Sequence, residues 1–298
     1  MAQQDPRFKN ILGSRLSDDD NPAFVMIGCP VDEGVVRNGG RAGASGAPSL
    51  IRTHLEKMTP PPQEDEAFRK LVSFGKDLGD IEPDTMEEMQ QNLGDTIAPW
   101  LEKGVPVIIL GGGHETSYGH YLGYRNAEIS HHIINLDAHA DVRPLKEGAG
   151  HSGSPFRQIL KDSTSFCNSY QVMGLQPQAT SVDHKKFVEE HSGQAWFKND
   201  VDEILIKHIY SIRKGNMLTT FDMDAVDQSE APGVSAPCPY GLSKSLFLIA
   251  TYMAGKNQDV RSMDLVEVNP EYDRDDQTVR LAALGIWNFL CGLSTRPA

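Results

Sequence analysis

The chain has 298 residues, of which 39% are hydrophobic, and a formal net charge of −13. This charge disfavours nucleic acid and anionic membranes as partners, because both select for basic surface patches. No apolar stretch is long enough to span a bilayer, and the four cysteines are widely spaced without a CxxC pair. We therefore expect a cytoplasmic protein with reduced thiols that acts on a small molecule.

Strand-like and helix-like segments alternate along the chain. Continuous apolar runs bounded by turn residues, which are typical of strands covered on both faces, occur at 23–28, 72–74, 105–110, 132–136, 170–173, 217–221 and 261–268. Helical spacing of apolar residues is found at 85–103, 156–160 and 243–253. This alternation predicts a mainly parallel sheet with helices on both faces. We expect one domain over 1–298, with 1–21 and 295–298 peripheral.

Six potential metal ligands follow three of these predicted strands. They are His114 after the run 105–110, Asp137, His139 and Asp141 after the run 132–136, and Asp222 and Asp224 after the run 217–221. The carboxyl ends of parallel strands meet at one edge of a sheet, so these side chains are expected to lie together. Four carboxylates in contact need compensating cations, because like charges repel.

The chemistry of these ligands indicates the kind of metal. Oxygen-rich ligation with two imidazoles and no thiolate favours Mn²⁺ over structural zinc. Two such ions can share one water molecule and lower its pKa. Bridging requires carboxylates, and Asp137 and Asp222, each the first of its cluster, are the expected bridging ligands. The sequence therefore predicts a centre with two Mn²⁺ ions.

The segments Asp-Ala-His-Ala-Asp at 137–141 and Asp-Met-Asp at 222–224 resemble the ureohydrolase superfamily, which includes arginase, agmatinase and formimidoylglutamase. The resemblance runs from about Val25 to Phe289 and implies a three-layer α/β/α sandwich, often assembled as a trimer or hexamer. It implies one manganese held by His114, Asp137, Asp141 and Asp222, and another held by Asp137, His139, Asp222 and Asp224. A hydroxide that bridges the two ions would attack an amidine or guanidine carbon. Glu267 would clamp the cationic head of the substrate, as a carboxylate can do for a planar amidinium.

Three further segments make the chain more similar to formimidoylglutamase than to arginase or agmatinase. They are 32–41, 111–115 and 152–157, the last followed downstream by Ala-Pro-Gly-Val-Ser-Ala-Pro at 231–237. The resemblance then implies hydrolysis of N-formimino-L-glutamate to L-glutamate and formamide, a step of histidine degradation. Two alternatives stay open at this point. One is another amidinohydrolase that acts on a guanidino acid and releases urea, and the other is a catalytically silent family member that acts as a binding protein.

A substrate tail with two carboxylates needs local cations, because the site and the whole chain are anionic. Arginine guanidinium groups pair well with carboxylates. The substrate-binding candidates are therefore Arg143, just beyond the first aspartate cluster, Arg37 and Arg41 around a glycine-rich loop, and Ser152 and Arg157 in the third segment, together with Glu267.

The proton donor to the leaving nitrogen is not fixed by the sequence. The proton-shuttle histidine of arginases corresponds here to Ser152, and His151 is displaced by one residue. The expected donor is Asp141, His151 or solvent. The remaining histidines, which include His120, are interpreted as ordinary surface or core residues without a functional partner.

Overall fold

A computed structural model describes residues 7–17 and 21–297. Its strands are β1 (Phe24–Cys29), β2 (Gly75–Asp80), β3 (Val107–Gly111), β4 (His131–Leu136), β5 (Cys167–Leu175), β6 (Gln194–Phe197), β7 (Met217–Asp222) and β8 (Val260–Val266). They form a single sheet in the order β2-β1-β3-β8-β7-β4-β5-β6, and every neighbouring pair is parallel. This confirms the predicted parallel sheet.

The α-helices of the described residues connect the strands. They are α1 (Phe8–Ile11), α2 (Glu33–Asn38), α3 (Ala47–Leu55), α4 (Asp65–Ser73), α5 (Met86–Glu102), α6 (Thr116–Asn126), α7 (Pro155–Leu160), α8 (Val182–Glu190), α9 (Glu203–Ile212), α10 (Lys244–Lys256) and α11 (Gln277–Ser294). The helical predictions at 85–103 and 243–253 correspond to α5 and α10. Both helices begin where a side chain caps them: Thr85 accepts the Glu88 N–H and Ser243 accepts the Leu246 N–H.

The two faces of the sheet bury separate apolar cores. On β1, Phe24 and Met26 face one core, whereas Val25 and Ile27 face the other, as the two-residue repeat of a strand dictates. Helices α3, α4, α9, α10 and α11 cover the first face, and α5 to α8 cover the second. The predicted three-layer α/β/α sandwich is therefore confirmed.

The strand predictions were wrong at the two edges of the sheet. Val72, predicted to lie in a strand, is buried in α4, and the strand begins at Gly75 after the helix ends. Strand β6 was not predicted. Both β2 and β6 pair on one side only and are partly exposed along most of their length. An edge strand of this kind lacks the continuous apolar run that marks a buried central strand.

Parts of both terminal segments pack against the rest of the chain. Phe8 is 1% exposed and Ile11 is 8% exposed, and both belong to the core that faces α4 and α11. Near the other end, the Arg296 side chain donates hydrogen bonds to the carbonyl groups of Gly255 and Val260. Residues 1–6, 18–20 and 298, which belong to the segments 1–21 and 295–298 that were predicted to be peripheral, lie outside the described residues. No helix within the described ranges is long and apolar enough to cross a membrane.

Candidate metal centre

Four adjacent strands end at the candidate site. Asp222 is the last residue of β7, while Asp137 and Glu267 directly follow β4 and β8. His114 lies three residues beyond the end of β3. Because the sheet order is β3-β8-β7-β4, these four ends are neighbours at the carboxyl edge, where open α/β sheets place their sites.

The glycine turn at 111–113 brings His114 against the end of β8. A Cβ atom on Gly112 would lie 2.0 Å from the carbonyl oxygen of Val31, so the turn can approach this closely only without a side chain. The Gly112 carbonyl accepts the Glu267 N–H at 2.8 Å, and the Glu267 carboxylate accepts the His114 N–H at 2.9 Å. These reciprocal bonds fix His114 and Glu267 relative to each other.

The first ligand group surrounds the His114 ring. The Nδ1 atom of His114 lies 3.0 Å from Oδ2 of Asp141, 3.0 Å from Oδ2 of Asp222 and 3.3 Å from Oδ2 of Asp137. The ligand atoms of this group all lie within 4.8 Å of one another. His114 Nδ1 is buried and makes no hydrogen bond within the described part of the chain. The arrangement therefore suits a cation bound between the four side chains.

The second ligand group shares Asp137 with the first. The Nδ1 atom of His139 lies 3.0 Å from Oδ2 of Asp224 and 3.7 Å from Oδ1 of Asp137. Asp137 thus turns one oxygen to each group, as a bridging ligand would. Asp222 belongs to the first group only, so its predicted role as a second bridge stays a prediction.

Hydrogen bonds hold these carboxylates in place. Asp137 accepts the His139 N–H at 2.6 Å and the Asn135 side-chain amide at 2.9 Å, and Asp222 accepts the Asp224 N–H at 2.8 Å. Asp141 has a backbone φ of 47°, an uncommon conformation for a residue with a side chain. Such a conformation costs about 1–3 kcal/mol and persists where its surroundings impose it.

The electrostatics of the cluster reflect crowded, buried carboxylates. Burial, together with the charges of Asp224 and Asp137, raises the pKa of Asp222 well above its usual range. Burial alone would lower the pKa of His114, but the surrounding aspartates raise it well above the usual range. The charge of Asp224 likewise raises the pKa of His139. Raised pKa values of this kind mean that a divalent cation competes with protons for these ligands.

Glu115 is a buried carboxyl group that the sequence reasoning left without a role. It is 1% exposed, and its Oε1 atom accepts the Gly34 N–H at 2.8 Å. Burial raises the pKa of Glu115 to about 7. The bond to Gly34 fixes the beginning of α2, which carries one wall of the pocket described next.

A pocket of about 250 Å³ opens beside the ligand groups. The side chains at its base come from the strand ends, and its walls come from α2 and from two loops. Its lining residues are Val35, Asn38, Gly39, Gly40, His139, Asp141, Arg143, Ser152, Asp222, Asp224, Ser235, Ala236 and Glu267. Arg143, Ser152 and Asn38 therefore line the same pocket as the carboxylates of the ligand groups.

Three comparisons with known proteins agree with this geometry. A family model described as the arginase family matches residues 22–292. The chain belongs to the arginase family. It is 33% identical to a formimidoylglutamase of Lysinibacillus sphaericus, over 96% of this chain and 89% of that protein. It is 37% identical to one of Geobacillus thermodenitrificans, over 88% of this chain and 81% of that protein.

Solved structures of the arginase family give the same result. A crystal structure of Trypanosoma cruzi formiminoglutamase with Mn²⁺ has a TM-score of 0.89 and 30% identity, and it covers 99% of this chain and 100% of that one. An arginase from Bacillus subtilis has a TM-score of 0.73 over 90% of this chain and 98% of its own. At 21% identity, this second likeness concerns the fold alone.

The predicted arginines of this arginase-family chain divide into two groups. Only Arg143 lines the pocket. Arg37 is bound instead to Glu33, Glu87 and the Gly150 carbonyl. The hydrogen bonds that Arg37 could have offered to a substrate are therefore used within the fold.

Arg41 and Arg157 do not line the pocket either, and their guanidinium groups donate to backbone carbonyl groups. Arg41 donates to the carbonyl groups of Val234 and Ser235, and its guanidinium lies 3.9 Å from the Tyr272 ring centre. Arg157 donates to the Val142 carbonyl at 2.6 Å and stacks over the Phe187 ring. These contacts argue against direct substrate binding by either arginine. Their guanidinium groups hold loops together.

The geometry also argues against His151 as a proton donor. Its Nδ1 atom accepts the Gly153 N–H at 3.2 Å, and its Nε2 atom lies 3.0 Å from the Pro144 carbonyl oxygen. Both ring nitrogens therefore serve the loop that contains them. His151 is 1% exposed and does not line the pocket, whereas Asp141 and Ser152 do.

Asn38 is a pocket residue that sequence reasoning missed. Its side-chain oxygen accepts a hydrogen bond from Arg143 at 3.3 Å, and its side-chain amide donates to the Ser152 hydroxyl at 3.2 Å. Asn38 thus links the two predicted tail-binding residues that do line the pocket. Asn38 lies in segment 32–41, one of the segments that resemble formimidoylglutamase, but no pattern within that segment singles it out.

Proposed function

We propose that this chain is a dimanganese hydrolase of a linear amidine and converts N-formimino-L-glutamate and water to L-glutamate and formamide. The observation that carries the proposal is a single pocket with three kinds of groups along it. It is lined by members of both ligand groups, by the buried carboxylate of Glu267 and by the guanidinium of Arg143. The names of the similar proteins support the same substrate.

The donor set fits two divalent cations of the manganese type. Carboxylate oxygens and imidazole nitrogens are the only donors, and the free Nδ1 atom of His114 points at three carboxylates. One ion would be held by His114, Asp137, Asp141 and Asp222, and the other by Asp137, His139 and Asp224, with Asp222 as a further bridge. When bound, the ions supply positive charge that makes water a nucleophile near neutral pH.

Glu267 is suited to the cationic head of the substrate. It is 6% exposed, lines the pocket, and has one oxygen occupied by the His114 N–H. A buried carboxylate is stabilised by a cation that pairs with it, and an amidinium offers two parallel N–H groups. The backbone φ of 64° at Glu267 directs this side chain from the end of β8. We infer that Glu267 orients the amidine carbon toward the metal centre.

Arg143 is suited to the carboxylates of the substrate tail. Asn38 occupies one guanidinium nitrogen of Arg143 and thereby fixes its position at the pocket wall. The other guanidinium N–H groups can bind a carboxylate in the planar, two-point manner that arginine favours. The Ser152 hydroxyl, held by Asn38, adds a further donor beside it. A dianionic tail is therefore attracted locally although the chain as a whole is strongly acidic.

The reaction breaks the bond between the amidine carbon and the nitrogen that stays on glutamate. The oxygen of water joins the amidine carbon, and the glutamate nitrogen must gain a proton before it leaves. With both nitrogens of His151 engaged, Asp141 is the protein group that we infer to handle this proton. Asp141 belongs to the first ligand group and also lines the pocket, where the substrate would lie.

A product assay tests this function. The Mn²⁺-loaded protein is incubated with N-formimino-L-glutamate and, separately, with guanidino acids such as arginine and guanidinobutyrate. We expect formamide and glutamate from the first and no urea from the others. Urea release without formamide would assign the chain to the guanidino-acid branch, and binding without turnover of any substrate would support a silent binding protein.

Two further properties complete the proposal. A cytoplasmic location is tested by cell fractionation of the native source. A trimeric or hexameric assembly is tested by light scattering of the Mn²⁺-loaded protein, where a monomer of 32.8 kDa would contradict it.

A further inference from the structure

A buried chain of polar side chains extends from His114 into the core. The Nε2 atom of His114, on the side away from the aspartates, lies 3.1 Å from the Thr220 hydroxyl. Thr220 lies 3.2 Å from the Ser117 hydroxyl, which donates to Oδ2 of Asp264 at 2.9 Å. All four residues are fully buried. Thr220 and Asp264 are direct neighbours in the sheet, two residues before Asp222 and Val266 on the same strands.

The direction of each hydrogen bond in this chain follows from its last member. An ionised carboxylate can only accept, so the single hydroxyl proton of Ser117 goes to Asp264. Ser117 must then accept from Thr220, and Thr220, having given its proton, must accept from His114. A neutral His114 therefore carries its proton on Nε2, which leaves the lone pair of Nδ1 directed at the ligand group. This is the form of histidine that a metal ion requires.

The far side of Asp264 is closed by a second set of buried groups. Nδ1 of His120 donates to Asp264 at 2.8 Å, and Nε2 lies 2.5 Å from the Ser262 hydroxyl. Ser262 lies 2.6 Å from the Tyr124 hydroxyl, which donates to the Met217 carbonyl. The Oδ2 atom of Asp264 therefore accepts from His120 as well as from Ser117. His120, interpreted from the sequence as ordinary, thus has a buried acidic partner.

A carboxylate is a costly group to bury at this position. Asp264 is 0% exposed, and its Oδ1 atom has no hydrogen-bonding partner among the described side chains. Burying a charge in this way is costly, and an uncharged side chain of the same shape would fill the same space. What a carboxylate provides and an amide does not is an acceptor that cannot donate, which is the property that sets the direction of the chain.

We propose that Asp264 is a positioning residue that acts through Ser117 and Thr220 to hold His114 in its metal-binding form, and so sets the Mn²⁺ affinity of the site. This inference rests on the metal centre of the proposed function. It concerns the affinity for the ion and not the identity of the substrate, so it can be tested on the protein without any substrate.

The test compares Mn²⁺ binding by calorimetric titration for the wild-type chain and three variants. In Asp264→Asn the amide can donate to Ser117, which allows the whole chain to reverse and to place the proton of His114 on Nδ1. Thr220→Val removes the hydroxyl that connects His114 to Ser117 while nearly keeping the size of the side chain. The matched control is Thr219→Val, because Thr219 is equally buried on the same strand but bonds to Tyr210 and the Ile134 carbonyl on the opposite face.

We expect Asp264→Asn and Thr220→Val to bind Mn²⁺ about 10- to 100-fold more weakly, the usual effect of losing an outer-shell partner. Thr219→Val should stay within about threefold of wild type. The double variant Asp264→Asn/Thr220→Val should be no weaker than Thr220→Val alone, because the effect of Asp264 passes through Thr220. Circular dichroism and melting curves of the metal-free proteins show whether each variant folds, and Ser117→Ala replaces any variant that does not.

Three outcomes would overturn the inference. The first is a folded Asp264→Asn variant with wild-type Mn²⁺ affinity. The second is an additive loss in the double variant, which would mean that Asp264 acts by another route. The third is a wild-type chain that binds no Mn²⁺, which would remove the proposed metal centre as well. A chain that binds Mn²⁺ but leaves formiminoglutamate intact contradicts the proposed function alone.

Discussion

The two ends of the pocket are built differently. At the metal end, the ligands lie at or just beyond the ends of adjacent central strands, and the aspartates are at most 9% exposed. At the tail end, the walls are loops and the short helix α2, and three of the four predicted arginines bind backbone or acidic groups there. Strand order therefore determines where the ligands lie, whereas a loop arginine is available to substrate only if no other partner uses it.

The largest effect is expected at the metal end. Asp137→Asn removes the one carboxylate shared by both ligand groups and should abolish stoichiometric Mn²⁺ binding. Loss of metal removes several kcal/mol of transition-state stabilisation, which corresponds to about a 10³-fold or larger fall in kcat. Metal analysis after dialysis and the formamide assay measure both effects. Asp227→Asn is the matched control, because Asp227 caps a turn around Ser229 outside the ligand groups.

The next largest effect is expected at Glu267, between the two ends. Glu267→Gln keeps the size of the side chain but removes the charge that pairs with the amidinium. Loss of one partner of a buried charge pair costs about 2–5 kcal/mol, so kcat/KM should fall roughly 30- to 5,000-fold. Mn²⁺ content should stay unchanged, which distinguishes this variant from Asp137→Asn. Glu271→Gln, an exposed acid nearby, serves as the control. A Glu267→Gln enzyme that lost its metal would contradict the assigned role.

The success of sequence analysis follows the same division between strands and loops. His114, Asp137 and Asp222 were predicted because each follows a continuous apolar run of five or six residues, which is typical of a buried strand. The edge strands β2 and β6 were not predicted, since a half-exposed strand carries no such run.

Residues whose role depends on contacts with side chains distant in the sequence could not be predicted from the sequence. Asn38 and Asp264 act through side chains that are distant in the sequence, such as Arg143 and Ser117. Arg37 and His151 are residue types that could bind a carboxylate or transfer a proton, and both lie in or next to segments that resemble formimidoylglutamase. Their hydrogen bonds are nevertheless used elsewhere, by Glu87 and by the carbonyl of Pro144. Only tertiary contacts reveal such competition for a polar group.

A smaller effect is expected at Arg143. Arg143→Ala removes charge-assisted hydrogen bonds, worth about 1.5–3 kcal/mol together, so kcat/KM for formiminoglutamate should fall about 10- to 100-fold. A formamidine without carboxylates should be hydrolysed equally by wild type and variant. Arg143→Lys keeps the charge but loses the planar two-point geometry, so its kcat/KM for formiminoglutamate should lie between those of wild type and Arg143→Ala. Equal kinetics of Arg143→Ala and wild type on formiminoglutamate would contradict the proposed binding of the substrate tail by Arg143.

The pH dependence of Mn²⁺ binding should be a property of the metal end of the pocket and not of the tail end. In the metal-free protein the pKa values of His114 and Asp222 are raised, so protons compete with Mn²⁺ as the pH falls. The affinity should therefore rise with pH between about 6 and 8, by up to about tenfold per pH unit for each proton displaced. Titrations in buffers of different ionisation enthalpy count the released protons. Arg143→Ala should leave this dependence unchanged, and an affinity independent of pH would mean that the ligands hold no protons to displace.

The smallest effect is expected at Arg37. This arginine does not line the pocket, so its replacement should leave substrate binding at the tail end unchanged. Its side chain is 22% exposed, and its partners Glu33 and Glu87 are 46% and 56% exposed. Partly exposed ion pairs contribute little, so Arg37→Ala should lower the free energy of unfolding by less than about 1 kcal/mol. It should also change kcat/KM by no more than about threefold, with KM for formiminoglutamate unaffected. Urea unfolding and steady-state kinetics measure the two quantities. A selective rise in KM as large as that of Arg143→Ala would show that Arg37 leaves its acidic partners to bind the substrate tail, and that the tail end rearranges on binding while the metal end does not.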